Sequence, residues 1–138
     1  MATEQDKQRY IDDMARRRGY VLDYHKVMAR HDFDVLGAAD GLVQAAYLKQ
    51  RRLGRRTKEL LFILSLTVMR ASKGHIQSHI QVALDLGVTP EEILEAIEIA
   101  LPEAGVVAFQ HGFDAWRETT GATGIEPTVA VHDNGSGR

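Results

Sequence analysis

Residues Glu59 to Met69 read E-L-L-F-I-L-S-L-T-V-M, and this stretch decides the fold. Apolar side chains recur on almost every side of the helix that such a run forms, so it has no solvent face of its own. A chain of 138 residues has little interior in which to enclose a helix completely. Either the rest of the domain wraps it, or it is buried between subunits, and the second alternative predicts a homo-oligomer.

Helical spacing continues in both directions. Downstream, Lys73 to Leu86 forms the next helix and stops at Gly87, a normal position for a C-terminal glycine. Val88-Thr89-Pro90-Glu91-Glu92 is a start signal: Thr89 caps, Pro90 takes the first helical position and Glu92 closes a capping box. That helix carries Ile93, Leu94 and Ile97 to about Leu101-Pro102, and a last one runs from about Gly105 to Thr119. Upstream lies a basic connector, Lys49 to Lys58, with six Lys or Arg in ten positions and Gly54 as its turn. Before it a helix capped by Asp32 or Asp34 extends to about Leu48, and a first segment, roughly Lys7 to Ala29, is kinked or divided by Gly19. No strand pair and no internal repeat is found. The expectation is an all-α bundle of about six helices, a single domain over residues 1–120. A Gly-, Thr-, Pro- and Ser-rich tail over 121–138 lacks any amphipathic pattern and reads as flexible or laid on a neighbour.

Composition narrows the function. Apolar residues make up 44% and charged residues 26%, ordinary for a globular domain. A net charge of −2 argues against a dedicated nucleic-acid binder. The absence of cysteine removes disulfides, thiolate nucleophiles and zinc-thiolate or iron–sulfur sites. Met1 to Arg18 mixes acids and bases without an apolar core, unlike a signal peptide, and Leu60 to Met69 is too short to span a bilayer. A cytoplasmic protein without membrane association is expected.

Chemistry concentrates in a few side chains. Glu59 opens the apolar helix. It is either an exposed carboxylate favoured by the helix dipole or one drawn into an apolar site with a raised pKa suited to proton transfer. His75 and His79 lie four apart and share one helix face. They are a polar surface pair, an acid–base pair, or two ligands of a metal completed by Glu59 or His111. The H-x-x-x-H here lacks the central glutamate of the zinc protease motif, which weighs against metal. His111 alone is more often a packed or capping histidine, and His25 and His31 are weaker still. Phe113 and Trp116 read as core. The basic run from Lys49 to Lys58 is ordinarily a solvated face, but beside Glu59 it would steer or clamp a carboxylate.

The stretches R-T-K-E-L-L-F-I-L-S-L, H-I-Q-S-H-I-Q-V-A-L-D-L-G-V-T-P-E-E-I-L-E-A-I and L-P-E-A-G-V-V-A-F together resemble the carboxymuconolactone decarboxylase / AhpD-like family. The likeness covers roughly residues 55 to 117, and Gly19 to His25 resembles a subgroup with a longer N-terminal helix pair. It implies an AhpD-like helical fold assembled as a homotrimer or homohexamer. The family's peroxidase branch uses a glutamate, a Cys-x-x-Cys pair and a histidine. Anchored on His79, the two thiol positions fall at Ser72 and His75, so the disulfide cycle is impossible. Glu59 matches the family glutamate with one residue more before the histidine, which implies a small insertion between Arg70 and Gly74.

The decarboxylase branch lacks the redox pair and keeps a histidine like His79. The resemblance then implies a cofactor-independent carboxy-lyase acting on a small carboxylated lactone or another substrate of aromatic-acid breakdown. Glu59, His75 and His79 would carry acid–base catalysis, and Arg55, Arg56 and His111 would bind the substrate. Two other readings stand beside it: a metal-dependent enzyme built on His75 and His79, and a non-catalytic ligand-binding oligomer.

Overall fold

The computed structural model of the chain describes residues 1–132, and within them it is helical with no strand. Helix α1 spans Glu4–Arg18. Thr3 caps it through a reciprocal capping box with Asp6, acids fill its first turn and arginines its last, and Gly19 ends it at φ 84°. Gly19 therefore divides the first segment rather than kinking it, and α2, Asp23–His31, sets off separately. Asp32 caps α3, Phe33–Val43, whose last turn widens into a π-helical turn at Gln44–Leu48. The connector from Lys49 leads to α4, Arg55–Val68, and then to α5, Lys73–Asp85, capped by Ser72.

The Thr89–Pro90–Glu92 start signal opens α6, Pro90–Glu98, with the reciprocal capping box in place. The expected run to Leu101-Pro102 breaks at Ile99, and a short α7, Ala100–Ala104, turns the chain into α8, Val106–Thr120. Beyond Gly121 the backbone is irregular and largely exposed through residue 132. The rest of the tail, residues 133–138, lies outside the described residues.

Two apolar clusters form. The larger joins Ile63 of α4, Ile76, Ile80 and Ala83 of α5, Ile93 and Ile97 of α6 and Ala115 of α8. The smaller joins Met14, Ala29 and Leu36 of α1, α2 and α3. The candidate site lies where these two halves meet. Within one chain, only the Glu59–Ile63–Thr67 stripe of α4 is fully enclosed. Leu61 and Val68 remain 51% and 36% exposed, so a single chain does not wrap this helix.

Helix α8 approaches α4 closely at Gly112. A Cβ there would stand 2.2 Å from Thr67 Oγ1 and 2.6 Å from its Cγ2. The Thr67 hydroxyl donates to the Ile63 carbonyl at 2.7 Å, which fixes its rotamer, so the helices themselves must separate. Gly112→Ala is expected to cost about 3 kcal/mol or more by overpacking. Adding Thr67→Ala should recover part of that loss, as read by urea unfolding. Equal stability of Gly112→Ala and wild type would show that the approach is not this tight.

Candidate active site

Glu59 stands one turn into α4 and His79 in the middle of α5, and both side chains are fully buried. Their helices pack side by side, so His79 Nδ1 meets Glu59 Oε2 at 2.7 Å. Arg55, one turn before Glu59, donates from Nε to Oε1 at 3.2 Å. Its remaining nitrogens cross to the other half of the molecule. They reach the Arg17 carbonyl at 3.4 Å, the Arg18 carbonyl at 2.7 Å and the Tyr47 hydroxyl at 3.1 Å. The guanidinium also lies 4.7 Å from the centroid of the Tyr47 ring, a cation–π contact. Arg55 thus ties the glutamate to the end of α1 and to the π turn.

With an arginine on one oxygen, the Glu59 carboxylate accepts at the other, so His79 donates from Nδ1–H and leaves Nε2 as its other ring nitrogen, away from Glu59. That Nε2 is buried and has no hydrogen-bond partner. The ring is held by aromatics: Phe62 stacks on it at 4.8 Å with planes 7° apart, Tyr20 approaches at 4.8 Å, and Tyr47 meets it edge-on. His75 completes the surround, its ring centroid 5.4 Å from that of His79. Burial raises the pKa of Glu59, and the hydrogen bond and charge of His79 act against that rise. Burial lowers the pKa of His75, helped by the charges of His79 and Arg18.

Beside this pair lies a second buried ionic group. Asp40 of α3 is fully enclosed and accepts from Arg18, from Tyr10 at 2.7 Å, from Gln44 at 2.8 Å and from Arg17 at 3.1 Å. Burial opposes its charge, yet the hydrogen bonds of Arg18, Tyr10, Gln44 and Arg17 outweigh it and hold the carboxyl well below the usual range. Arg18 also lies over the Tyr20 ring at 5.9 Å, so Tyr20 separates the two buried pairs.

His25 is a further buried polar residue. Its Nδ1 accepts from the Leu22 backbone N–H at 3.0 Å at the start of α2, and a protonated ring could not accept there. Burial, reinforced by the charge of Arg18, lowers its pKa from 6.5 to about 4. The unfolded chain therefore binds more protons between these values, and stability falls as pH drops through that window. The full shift corresponds to about 3 kcal/mol. Urea unfolding from pH 7 to 4 should show this decline, and His25→Gln, whose amide oxygen can take the cap without titrating, should flatten it. The same slope in wild type and His25→Gln would exclude His25 as the source.

The sequence candidates separate in space. Glu59, His79, Arg55 and His75 come together. Arg56 does not: it is exposed and donates to the Gly87 carbonyl at 3.1 Å, joining the start of α4 to the α5–α6 loop. His111 does not either. Its Nε2 bonds the Ala71 carbonyl, so it fastens α8 to the α4–α5 link as a structural histidine. The three-ligand metal arrangement fails for the same reason. His79 Nδ1 is engaged by Glu59, His111 is bonded elsewhere, and no group of three His, Asp or Glu among the described residues is disposed to hold an ion.

Arg18, Tyr20, Asp40, Tyr47 and Phe62 are not among the candidates read from the sequence. One signal existed, the lone acid of G-A-A-D-G-L-V at Gly37 to Val43. Nothing local marks Tyr20 or Phe62.

Among the described residues, no helix is long and apolar enough to cross a membrane. Comparison with curated proteins and with solved structures yields no match. The family model of the carboxymuconolactone decarboxylase family matches residues 34–118, which include α4, α5, the Glu59–His79 pair and most of α8. The matched segment is more than half of the chain and contains the buried acid–base pair, so the protein belongs to the carboxymuconolactone decarboxylase family.

Proposed function

We propose that the protein is a cofactor-independent acid–base enzyme of the carboxy-lyase type, acting on a small, flat, carboxylated substrate. The observation that carries this reading is the buried Glu59–His79 pair with an unpartnered Nε2. Glu59 holds the ring in one tautomer and orientation, and Nε2 exchanges a proton with the substrate. The aromatic surround of Phe62, Tyr20 and Tyr47 suits a conjugated ring. Tyr20 and His75 are its half-buried neighbours, the side chains that move to admit a ligand.

In the reaction, the bond from carbon to the departing CO2 breaks and its electron pair enters the conjugated carbonyl, giving a dienolate. Protonated His79 then delivers a proton from Nε2 to the dienolate carbon, and solvent reprotonates the ring. The substrate is its own electron sink, so positioning and one proton suffice. The test is to incubate the purified chain with a carboxylated unsaturated lactone in deuterated water. The expected result is CO2 release with one deuterium in the product, lost on removal of His79. CO2 release undiminished without His79 would overturn the proposal.

A further inference from the structure

An open cleft of about 560 Å³ lies between the end of α1, the π turn and the start of α4. Arg17, Lys49 and Arg55 line it together with Gln44, and no acid does. Its size falls within the range of small-ligand sites. Arg17 uses one terminal nitrogen, Nη2, on Asp40, while its side chain is one-third exposed along the cleft. Arg55 Nη1 makes only a long contact, 3.4 Å, to the Arg17 carbonyl. A guanidinium offers five N–H groups in a fixed fork, so Arg17 and Arg55 keep donors beyond those that Asp40 and Glu59 engage.

The π turn forms part of the wall, since Gln44, Ala45 and Leu48 face the cleft while Tyr47 of the same turn is buried against Arg55. Such single π turns inside α-helices recur at functional sites. Three cations and no acid along the lining specify the chemistry of the occupant.

We propose that this cleft binds a small oxyanion group, a carboxylate or a phosphate, held between Arg17 and Arg55 with Lys49 at the rim. The guanidinium that grips the anion is the one that anchors Glu59, so occupancy of the cleft is felt at the acid–base pair through a single residue. Assigning the anion to the substrate itself rests on the acid–base reading above; the anion site does not.

Calorimetric titration at low ionic strength, with inorganic phosphate and with succinate as separate probes, tests the site without turnover. Wild type should bind at least one of them. Arg17→Gln combined with Lys49→Gln should weaken that binding on the order of tenfold or more, because charge-assisted contacts are lost. The variant should remain folded, since Asp40 keeps Arg18, Tyr10 and Gln44 and Lys49 is exposed; circular dichroism checks this. Tighter binding of succinate assigns the cleft to a carboxylate, and tighter binding of phosphate assigns it to a phosphate. No binding of either probe by wild type, or equal binding by wild type and the folded double variant, would overturn the proposal. Normal anion binding in a protein that turns over no lactone would instead count against the acid–base reading alone.

Discussion

Asparagine at position 79 is expected to leave a folded protein whose turnover falls at least about a hundredfold, the lower end of what a general acid–base group contributes. The asparagine amide N–H can stand near the position of Nδ1 and donate to Glu59 Oε2, so the buried carboxylate keeps both its partners. Only the proton-transferring Nε2 disappears. His79→Ala is a poorer test. It strips Oε2 of its donor and opens a cavity beside Phe62, which adds about 1–3 kcal/mol of destabilisation for the unpaired polar atom alone. Glu59→Gln should lower kcat with little change in KM, because Glu59 positions His79 and does not touch substrate. The measurements are steady-state turnover beside an unfolding curve for each variant. A folded His79→Asn protein with wild-type turnover would remove His79 from the chemistry.

Asp40→Ala is expected to have the largest effect on stability, about 3–5 kcal/mol, the usual cost of breaking a buried ion pair by removing one partner. The loss comes mainly from what is left behind. Arg18 is only 4% exposed and would keep its charge with no counter-charge. Tyr10 and Gln44 would lose the acceptor that ties α1 to the π turn. For a domain with about 5–15 kcal/mol in total, this approaches unfolding at ambient temperature. The pH dependence has a definite sign. The folded carboxyl titrates below its unfolded value near 3.8, so its contribution is present above that value and is lost as pH falls through the folded one. Acid should therefore weaken the protein in two stages, His25 first and Asp40 only in stronger acid. Urea unfolding at neutral pH decides the main point: a loss under about 1 kcal/mol in Asp40→Ala would mean that the Arg18 charge is satisfied elsewhere.

The sequence alone determined the helical class, most helix ends and the family. Its strongest signals act over three or four residues: the Thr89–Glu92 capping box, the stop at Gly87 and the period that sets Glu59, Ile63 and Thr67 on one stripe. These rules are local, because a cap or a helix face is fixed by the geometry of one turn. They also made Glu59 and His79 legible as candidates, since each residue type stands at a recognisable place in its helix.

What those candidates touch was decided only by tertiary structure. Glu59 lies 20 residues from His79, and Asp40 lies 22 from Arg18, separations that no periodicity links. Arg55 and Arg56 are neighbours in the chain, yet one holds the buried glutamate and the other a loop carbonyl, because adjacent residues of a helix point about 100° apart. His111 looked like a possible site histidine until the path of the α4–α5 link brought the Ala71 carbonyl to it. The π turn, which buries Tyr47 against Arg55 and helps to wall the cleft, has no composition of its own. It is set by how the two halves of the molecule pack, and the site formed at their seam follows from that packing.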